Sequence, residues 1–230
     1  MHPWQYDEQV QVGTDYEDTR EAESYDRRMA CVRDVPAEAD RVAKALALTG
    51  EDAVWEIGVG TGECALALAL RCRYVWGADI SPAMLALAKR KATERDVKNV
   101  EFVSGGFLSG FRPPEPVSAI VSQLAFHHLP DFWKYRALQG LVTHLRPGGR
   151  LFLRDVVFPG DVADYDEFFE QFVGELARKG GEKMAVATAR HIRAEFSTLD
   201  WVLEGMLTRC GFTILDKSTD GFLTSYLCER

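Results

Sequence analysis

Ala53-Val54-Trp55-Glu56-Ile57-Gly58-Val59-Gly60-Thr61-Gly62 is the stretch on which the reading of this chain turns. Ala53 to Ile57 is a short apolar run of the kind that forms a buried strand, and the alanine- and leucine-rich stretch from Glu63 to about Arg71 reads as a helix. Between them, glycines at alternate positions let the backbone come close to a ligand. A strand that ends in such a turn and enters a helix is one unit of a parallel α/β sheet, whose ligands sit at the carboxyl ends of the strands. The spacing narrows the ligand. The dinucleotide fingerprint wants glycine at its first, third and sixth positions, and the sixth here is Glu63. That disfavours an NAD-dependent oxidoreductase.

The same alternation extends on both sides. Upstream, Pro36 to Leu48 reads as a helix with Val42 and Leu46 on one side and Gly50 as its stop. Downstream, Tyr74 to Ala78 is a strand, and Ser81-Pro82 opens a helix with serine as cap and proline at its first position. That helix carries Met84, Leu85 and Ala88 and ends in the basic turn Lys89-Arg90-Lys91. Val100 to Val103 and Val117 to Ser122 are strands, Phe132 to Leu145 a helix, Pro147-Gly148-Gly149 a turn, and Arg150 to Val157 a fifth strand. Strands alternating with helices predict right-handed crossovers and a doubly wound, mostly parallel sheet with helices on both faces. After Pro159 the pattern is helical to about Thr198, with Tyr165, Phe168, Phe169, Phe172 and Leu176 at helix-face spacing and a break at Gly180-Gly181. This segment reads either as a further packing layer or as a lid over the ligand side. Leu199 to Cys210 is a closing helix, and Phe212 to Lys217 and Phe222 to Cys228 form a C-terminal antiparallel hairpin, making seven strands in all.

Bulk properties exclude several classes. The chain has 230 residues, 47% of them hydrophobic and 27% charged, which fits one domain. A net charge of −8 lacks the basic footprint of a nucleic-acid binder. Much of the acid lies in residues 1–28, whose Trp4, Tyr6, Tyr16 and Tyr25 predict an arm that packs on something. No apolar stretch is long enough to span a bilayer, and the start is no secretory signal, so no membrane partner and a cytoplasmic location are expected. The five cysteines show no CxxC spacing and read as reduced and mostly buried. No metal is expected either, because His127 and His128 are adjacent and diverge on a helix or strand.

Four segments then point to a family. VWEIGVGTGE, VWGADISPAMLALAKRKA, VSAIVSQLAFHHLPD and LRPGGRLFLRDVVF, in order over Ala53 to Val157, resemble the motifs of class I S-adenosylmethionine-dependent methyltransferases. In particular they resemble the broad group of small-molecule enzymes similar to the ubiquinone/menaquinone-biosynthesis methyltransferases. The resemblance implies a Rossmann-like fold in one domain: an N-terminal arm (1–35), a cofactor-binding core (36–160), a helical insert (161–198) and a closing helix with hairpin (199–230). It implies S-adenosylmethionine as cofactor and a small-molecule acceptor, in a monomer or homodimer. Gly58, Gly60 and Gly62 would pass under the methionine moiety with backbone N–H groups near its carboxylate. Glu56 would hold the turn and the ammonium side, Asp79 the ribose hydroxyls, and Ile80 and Met84 the adenine. Tyr25 would close over the cofactor, and Ser104, Phe107 and Ser122 would complete its site. Many relatives carry an acid after the third strand that meets the adenine amine. Here Ser104-Gly105-Gly106-Phe107 leaves that contact to backbone or Ser104, or leaves it missing.

Methyl transfer needs alignment and exclusion of water, and a general base only when the acceptor is protonated. Candidates at the ends of the fourth and fifth strands are Ser122, Gln123, His127, Arg154 and Asp155, with His127 and Asp155 the catalytic pair preferred. The other reading makes His127 and His128 structural. The same cofactor site would also serve a tRNA or protein methyltransferase, or a non-catalytic S-adenosylmethionine-binding protein.

Overall fold

The structure, a computed structural model, describes residues 2–10, 12, 19–31 and 33–230, and only the backbone of residues 19, 20, 21 and 24. Tyr16 lies outside the described residues. The elements run α1 (Thr19–Met29), α2 (Val35–Ala45), β1 (Ala53–Ile57), α3 (Glu63–Ala69), β2 (Tyr74–Asp79), α4 (Pro82–Glu94), β3 (Val100–Ser104) and β4 (Val117–Gln123). A single 3₁₀ turn (Phe126–His128) follows, then α5 (Asp131–His144), β5 (Leu145–Val156), α6 (Tyr165–Ala194), α7 (Asp200–Arg209), β6 (Thr213–Asp220) and β7 (Leu223–Glu229). The strands form one sheet in the order β3-β2-β1-β4-β5-β7-β6. Pairing is parallel from β3 to β5 and antiparallel through β7 and β6. This is the Rossmann-like, doubly wound mixed sheet that the alternation predicts.

Alternate residues of β1 enter two different cores, which is what covers both faces. Ala53, Trp55 and Ile57 pack with Ala137, Leu138 and Leu141 of α5 and Leu203 and Leu207 of α7. Val54 packs with Val42 of α2, Ala65 and Leu68 of α3, and Leu85 and Ala88 of α4. Burial of a side chain of this kind contributes about 1.5–3 kcal/mol, so a strand buried along its whole length is held firmly. Helix starts are set by capping: the Asp34 carboxylate accepts from Ala37 N, and Ser81 Oγ accepts from Met84 N at 3.2 Å. The order of strands reverses between β1 and β4, which opens a crevice at their carboxyl ends.

Two local features depart from the sequence reading and a third follows it. The acidic arm contains a helix, α1, whose Ala22 and Tyr25 pack with Met84 and Leu87 of α4. The turn at Pro147-Gly148-Gly149 is absorbed into β5 as an irregularity: Val117 pairs with Leu145 and Ala119 with Arg150. The expected break at Gly180-Gly181 is present: Gly181 leaves helical geometry at φ 75°, so α6 is two helices joined at a kink. The first half of α6 packs its Phe168 and Phe172 on Phe222, beside the hairpin, as a packing layer would. Among the described residues no helix is long and apolar enough to cross a membrane, and all five cysteines are free, Cys31 exposed and Cys64, Cys72 and Cys228 buried.

Candidate active site

The turn after β1 is fastened to the end of β2. Asp79 Oδ2 accepts from Gly60 N at 2.7 Å and Oδ1 from Ser81 N at 2.9 Å. Gly58 N and Val59 N both donate to Ala78 O, and Gly62 N donates to Val59 O. The N–H groups of Gly58, Gly60 and Gly62, expected to face a bound carboxylate, therefore brace the turn itself. Gly58 is fixed by space as well as by its φ of 73°, since a Cβ would lie 2.2 Å from Ala125 Cβ. Gly62, at φ 82°, sits below the turn against Ala88 and Phe102.

A cavity of about 550 Å³ lies over this turn, within the range of a ligand site. Glu56, Gly58, Gly60, Asp79, Ile80 and Met84 line it, joined by Tyr25 from α1 and Phe107. Ser104, Ser122 and Gly62 do not. Ser104 spends its carbonyl on Phe111 N in the loop after β3, and Ser122 is buried within β4 with its hydroxyl unpartnered among the described residues. Gln123 and Leu124 reach the cavity in its place.

Glu56 is the least settled group in this wall. It is 2% exposed, and its Oε2 has no hydrogen-bond partner among the described residues. Burial pushes its carboxyl up to about 8, with Cys64 and the Arg33 charge opposing that rise only in part. Burial also raises Asp79, against the amides of Ser81 and Gly60. A buried carboxylate without a partner is costly, and a cationic ligand group would relieve it. Arg33 lines the same cavity and is clamped by Glu38, which accepts from it at 2.6 Å and pairs with Arg154 at 2.7 Å.

The arm supplies a residue that no sequence pattern places. The Glu8 carboxylate accepts from Leu108 N at 3.0 and 3.1 Å and from Ser109 Oγ at 2.6 Å, and it lines the cavity. It occupies the space above Gly106, where a Cβ would come within 2.6 Å of it. An acid is thus present beside the loop after β3, delivered from about a hundred residues away. Tyr6 anchors the arm nearby, donating to His128 O at 3.2 Å and stacking on Trp133.

At the far end stands a cluster of histidines and carboxylates. Asp155 Oδ2 accepts from the amides of Phe126 and His127, and Oδ1 pairs with His127 Nδ1 at 2.5 Å. His127 Nε2 lies 3.2 Å from Glu195 Oε2, which also meets His191 Nδ1 at 2.5 Å. Burial disfavours a charged His127, but Asp155 and Glu195 outweigh it and lift the imidazole to about 9. Burial and the neighbouring His127 charge push His128 down to about 4. The two rings do not diverge as adjacent residues of a helix or strand would; in the 3₁₀ turn their centroids are 4.3 Å apart. His128 lines the large cavity, whereas His127 and Asp155 border only a small crevice behind it.

Comparison with known proteins identifies the family and the fold. A family described as a methyltransferase domain matches residues 54–149. An uncharacterized methyltransferase of Geobacillus kaustophilus is 34% identical over 206 residues, covering 88% of this chain and 90% of that one. One from Anoxybacillus flavithermus is 35% identical over 161 residues, covering 70% and 69%. Among solved structures, an S-adenosylmethionine-dependent methyltransferase from Clostridium acetobutylicum aligns with a TM-score of 0.67 at 14% identity, covering 91% of this chain and 97% of that one. At that identity the likeness is one of fold.

Proposed function

The chain belongs to the class I S-adenosylmethionine-dependent methyltransferases, and from that premise we propose that it methylates a small-molecule acceptor in the cytoplasm. The observation that carries the reading is the buried, half-unpartnered Glu56 carboxylate in the wall of a cavity that Asp79 also faces. When bound, S-adenosylmethionine supplies a methyl group already activated by its sulfonium. Glu56 would receive the ammonium group and Arg33 the carboxylate. Asp79, braced by Gly60 N and Ser81 N, keeps lone pairs for the ribose hydroxyls. Ile80, Met84 and Phe107 would flank the adenine, Glu8 would face its amine, and Tyr25 would cover the cofactor from α1.

The acceptor would enter beside Ala125, His128 and Leu129, at the other end of the cavity. The arm and α1 contribute walls to this cavity, which suits a small acceptor enclosed away from water better than a polymer laid across a surface. His127 and Asp155 act as positioning residues in this reading. Both ring nitrogens of His127 already face carboxylates, and Asp155 holds the 126–128 backbone so that His128 reaches the cavity. Calorimetric titration tests the core of the proposal: S-adenosylhomocysteine should bind and NAD should not. Binding of NAD with no binding of S-adenosylhomocysteine would overturn it.

A further inference from the structure

We propose that His127, His128 and Glu195 form a binding site for a single divalent transition-metal ion of the zinc class. The donor atoms of the three residues all lie within 4.8 Å of one another. His127 Nε2 and Glu195 Oε2 are 3.2 Å apart, close to the roughly 3.4 Å that separates two ligands on a tetrahedral ion with bonds of about 2.0–2.1 Å. Two imidazoles and one carboxylate with a remaining open position is a donor set suited to zinc or to ferrous iron.

The surroundings are those of a built site. A histidine that ligates a metal through one nitrogen almost always gives the other to a carboxylate or carbonyl. His127 does so: Asp155 Oδ1 holds Nδ1 at 2.5 Å and leaves Nε2 directed at Glu195. Glu195 is held in turn by His191 Nδ1 at 2.5 Å, and His191 Nε2 meets Ser197 Oγ at 2.8 Å. Outer partners therefore orient two of the three donors independently. Glu195 follows α6 directly, so the site ties the end of that helix to the turn after β4. Because His128 also lines the large cavity, an ion here would border the acceptor end.

The test uses the full chain, freed of metal with a chelator and titrated with Co²⁺ under visible absorption, then with Zn²⁺ in competition. One Co²⁺ per chain should give the intense bands of a low-coordinate site, and Zn²⁺ should abolish them. Loss of an outer-shell partner already costs 10–100-fold in metal affinity, so Glu195→Gln and His128→Asn should each weaken Co²⁺ binding by at least about 100-fold. Should Glu195→Gln fail to fold, His128→Asn, at the cavity edge, decides alone. Absence of the bands, or affinity unchanged in a folded variant, as thiol binding at Cys31 would give, overturns the proposal. S-adenosylhomocysteine binding is read in parallel on the parent chain: its retention without a metal signal sinks only this site, and its loss with the signal intact sinks only the methyl-transfer reading.

Discussion

At the glycine turn, Glu56 is buried with one carboxylate oxygen that has no partner among the described residues; at the histidine cluster, Asp155 is equally buried and accepts from Phe126 N, His127 N, Val156 N and an imidazole. The same functional group stands in two opposite electrostatic states. Burial raises Glu56 to about 8, whereas Asp155, against the same desolvation, is held below the ordinary carboxylate range by His127. An unanswered carboxylate costs the folded chain stability and gains it a ligand; an answered one does the reverse. The difference separates a carboxylate oxygen left open to a ligand from a carboxylate already spent on holding its neighbours.

The largest expected effect probes the answered end. Asp155→Ala removes the acceptor of three amides and leaves a buried imidazole facing Glu195 alone. Breaking a buried pair costs about 3–5 kcal/mol, and urea unfolding should show a loss of that size. Glu56→Gln should leave stability equal or higher, since it deletes a buried titratable group that lacks a full partner. If the two variants unfold alike, the contrast between the ends is not electrostatic.

Asp79 stands between these extremes, because it braces the turn and also faces the cavity. Hydrogen bonds to a charged group contribute about 1.5–3 kcal/mol, so Asp79→Ala should weaken S-adenosylhomocysteine binding on the order of ten- to a hundredfold by calorimetry. It should also lower stability by about 1–3 kcal/mol, because Gly60 N and Ser81 N lose their acceptor. Normal affinity in the folded variant would remove Asp79 from the ligand contacts.

The comparison also explains what could be read from the sequence. The binding end is local: Glu56, the glycines and Asp79 fall within one βαβ unit, so spacing alone sets them side by side. Seven strands and their mixed pairing were legible for the same reason, since period and turn residues report neighbours. The histidine end draws on residues 127, 155, 191 and 195 across three elements, and no local pattern links His191 and Glu195 to β4. Adjacency predicts that His127 and His128 diverge, which holds in regular helix or strand but not in a 3₁₀ turn. Ser104 and Ser122 each precede by one residue a position that lines the cavity, Gly105 and Gln123, an offset that spacing alone does not resolve. Arg33 and Glu8 lie in a charged arm whose aromatics predict packing, but nothing in the sequence shows what it folds over.

A smaller effect follows from the Glu56 carboxyl at about 8 in the ligand-free chain. Its folded value lies above the ordinary 4.5, so the stability it contributes is complete below about 4.5 and is lost as pH rises to 8. Ligand binding runs the other way. Pairing with an ammonium needs the ionised form, so affinity for S-adenosylhomocysteine should rise about tenfold per pH unit up to about 8 and then level, each unit being about 1.4 kcal/mol. Calorimetry at pH 7 in two buffers of different ionisation enthalpy should detect a proton released on binding. A flat pH profile, with no proton released, would show that the ammonium sits elsewhere. In Glu56→Gln the profile should be flat from the start.

The smallest effect belongs to Glu8, and it asks whether the arm is part of the binding end or a lid that merely rests there. Its carboxylate already takes Leu108 N and Ser109 Oγ, so its place is fixed without ligand, and an adenine amine would be one donor more. Glu8→Gln keeps the size and one acceptor oxygen but can turn an NH₂ group toward the amine. One hydrogen bond of ordinary strength is worth about 0.5–1.5 kcal/mol, so affinity for S-adenosylhomocysteine should fall roughly two- to tenfold. Affinity for the inosine analogue, which lacks the amine, should hold or improve, and that reversal separates recognition from simple loosening of the arm. Gly106→Asp sharpens the point. In the parent chain a side chain there collides with the Glu8 carboxylate, because a Cβ lies within 2.6 Å of it. Combined with Glu8→Ala, the same substitution should regain the preference for adenine over inosine, with the acid now supplied from the loop after β3. If the single and double variants discriminate the two ligands no differently from the parent, Glu8 is a strut for the loop and the adenine edge is read by backbone.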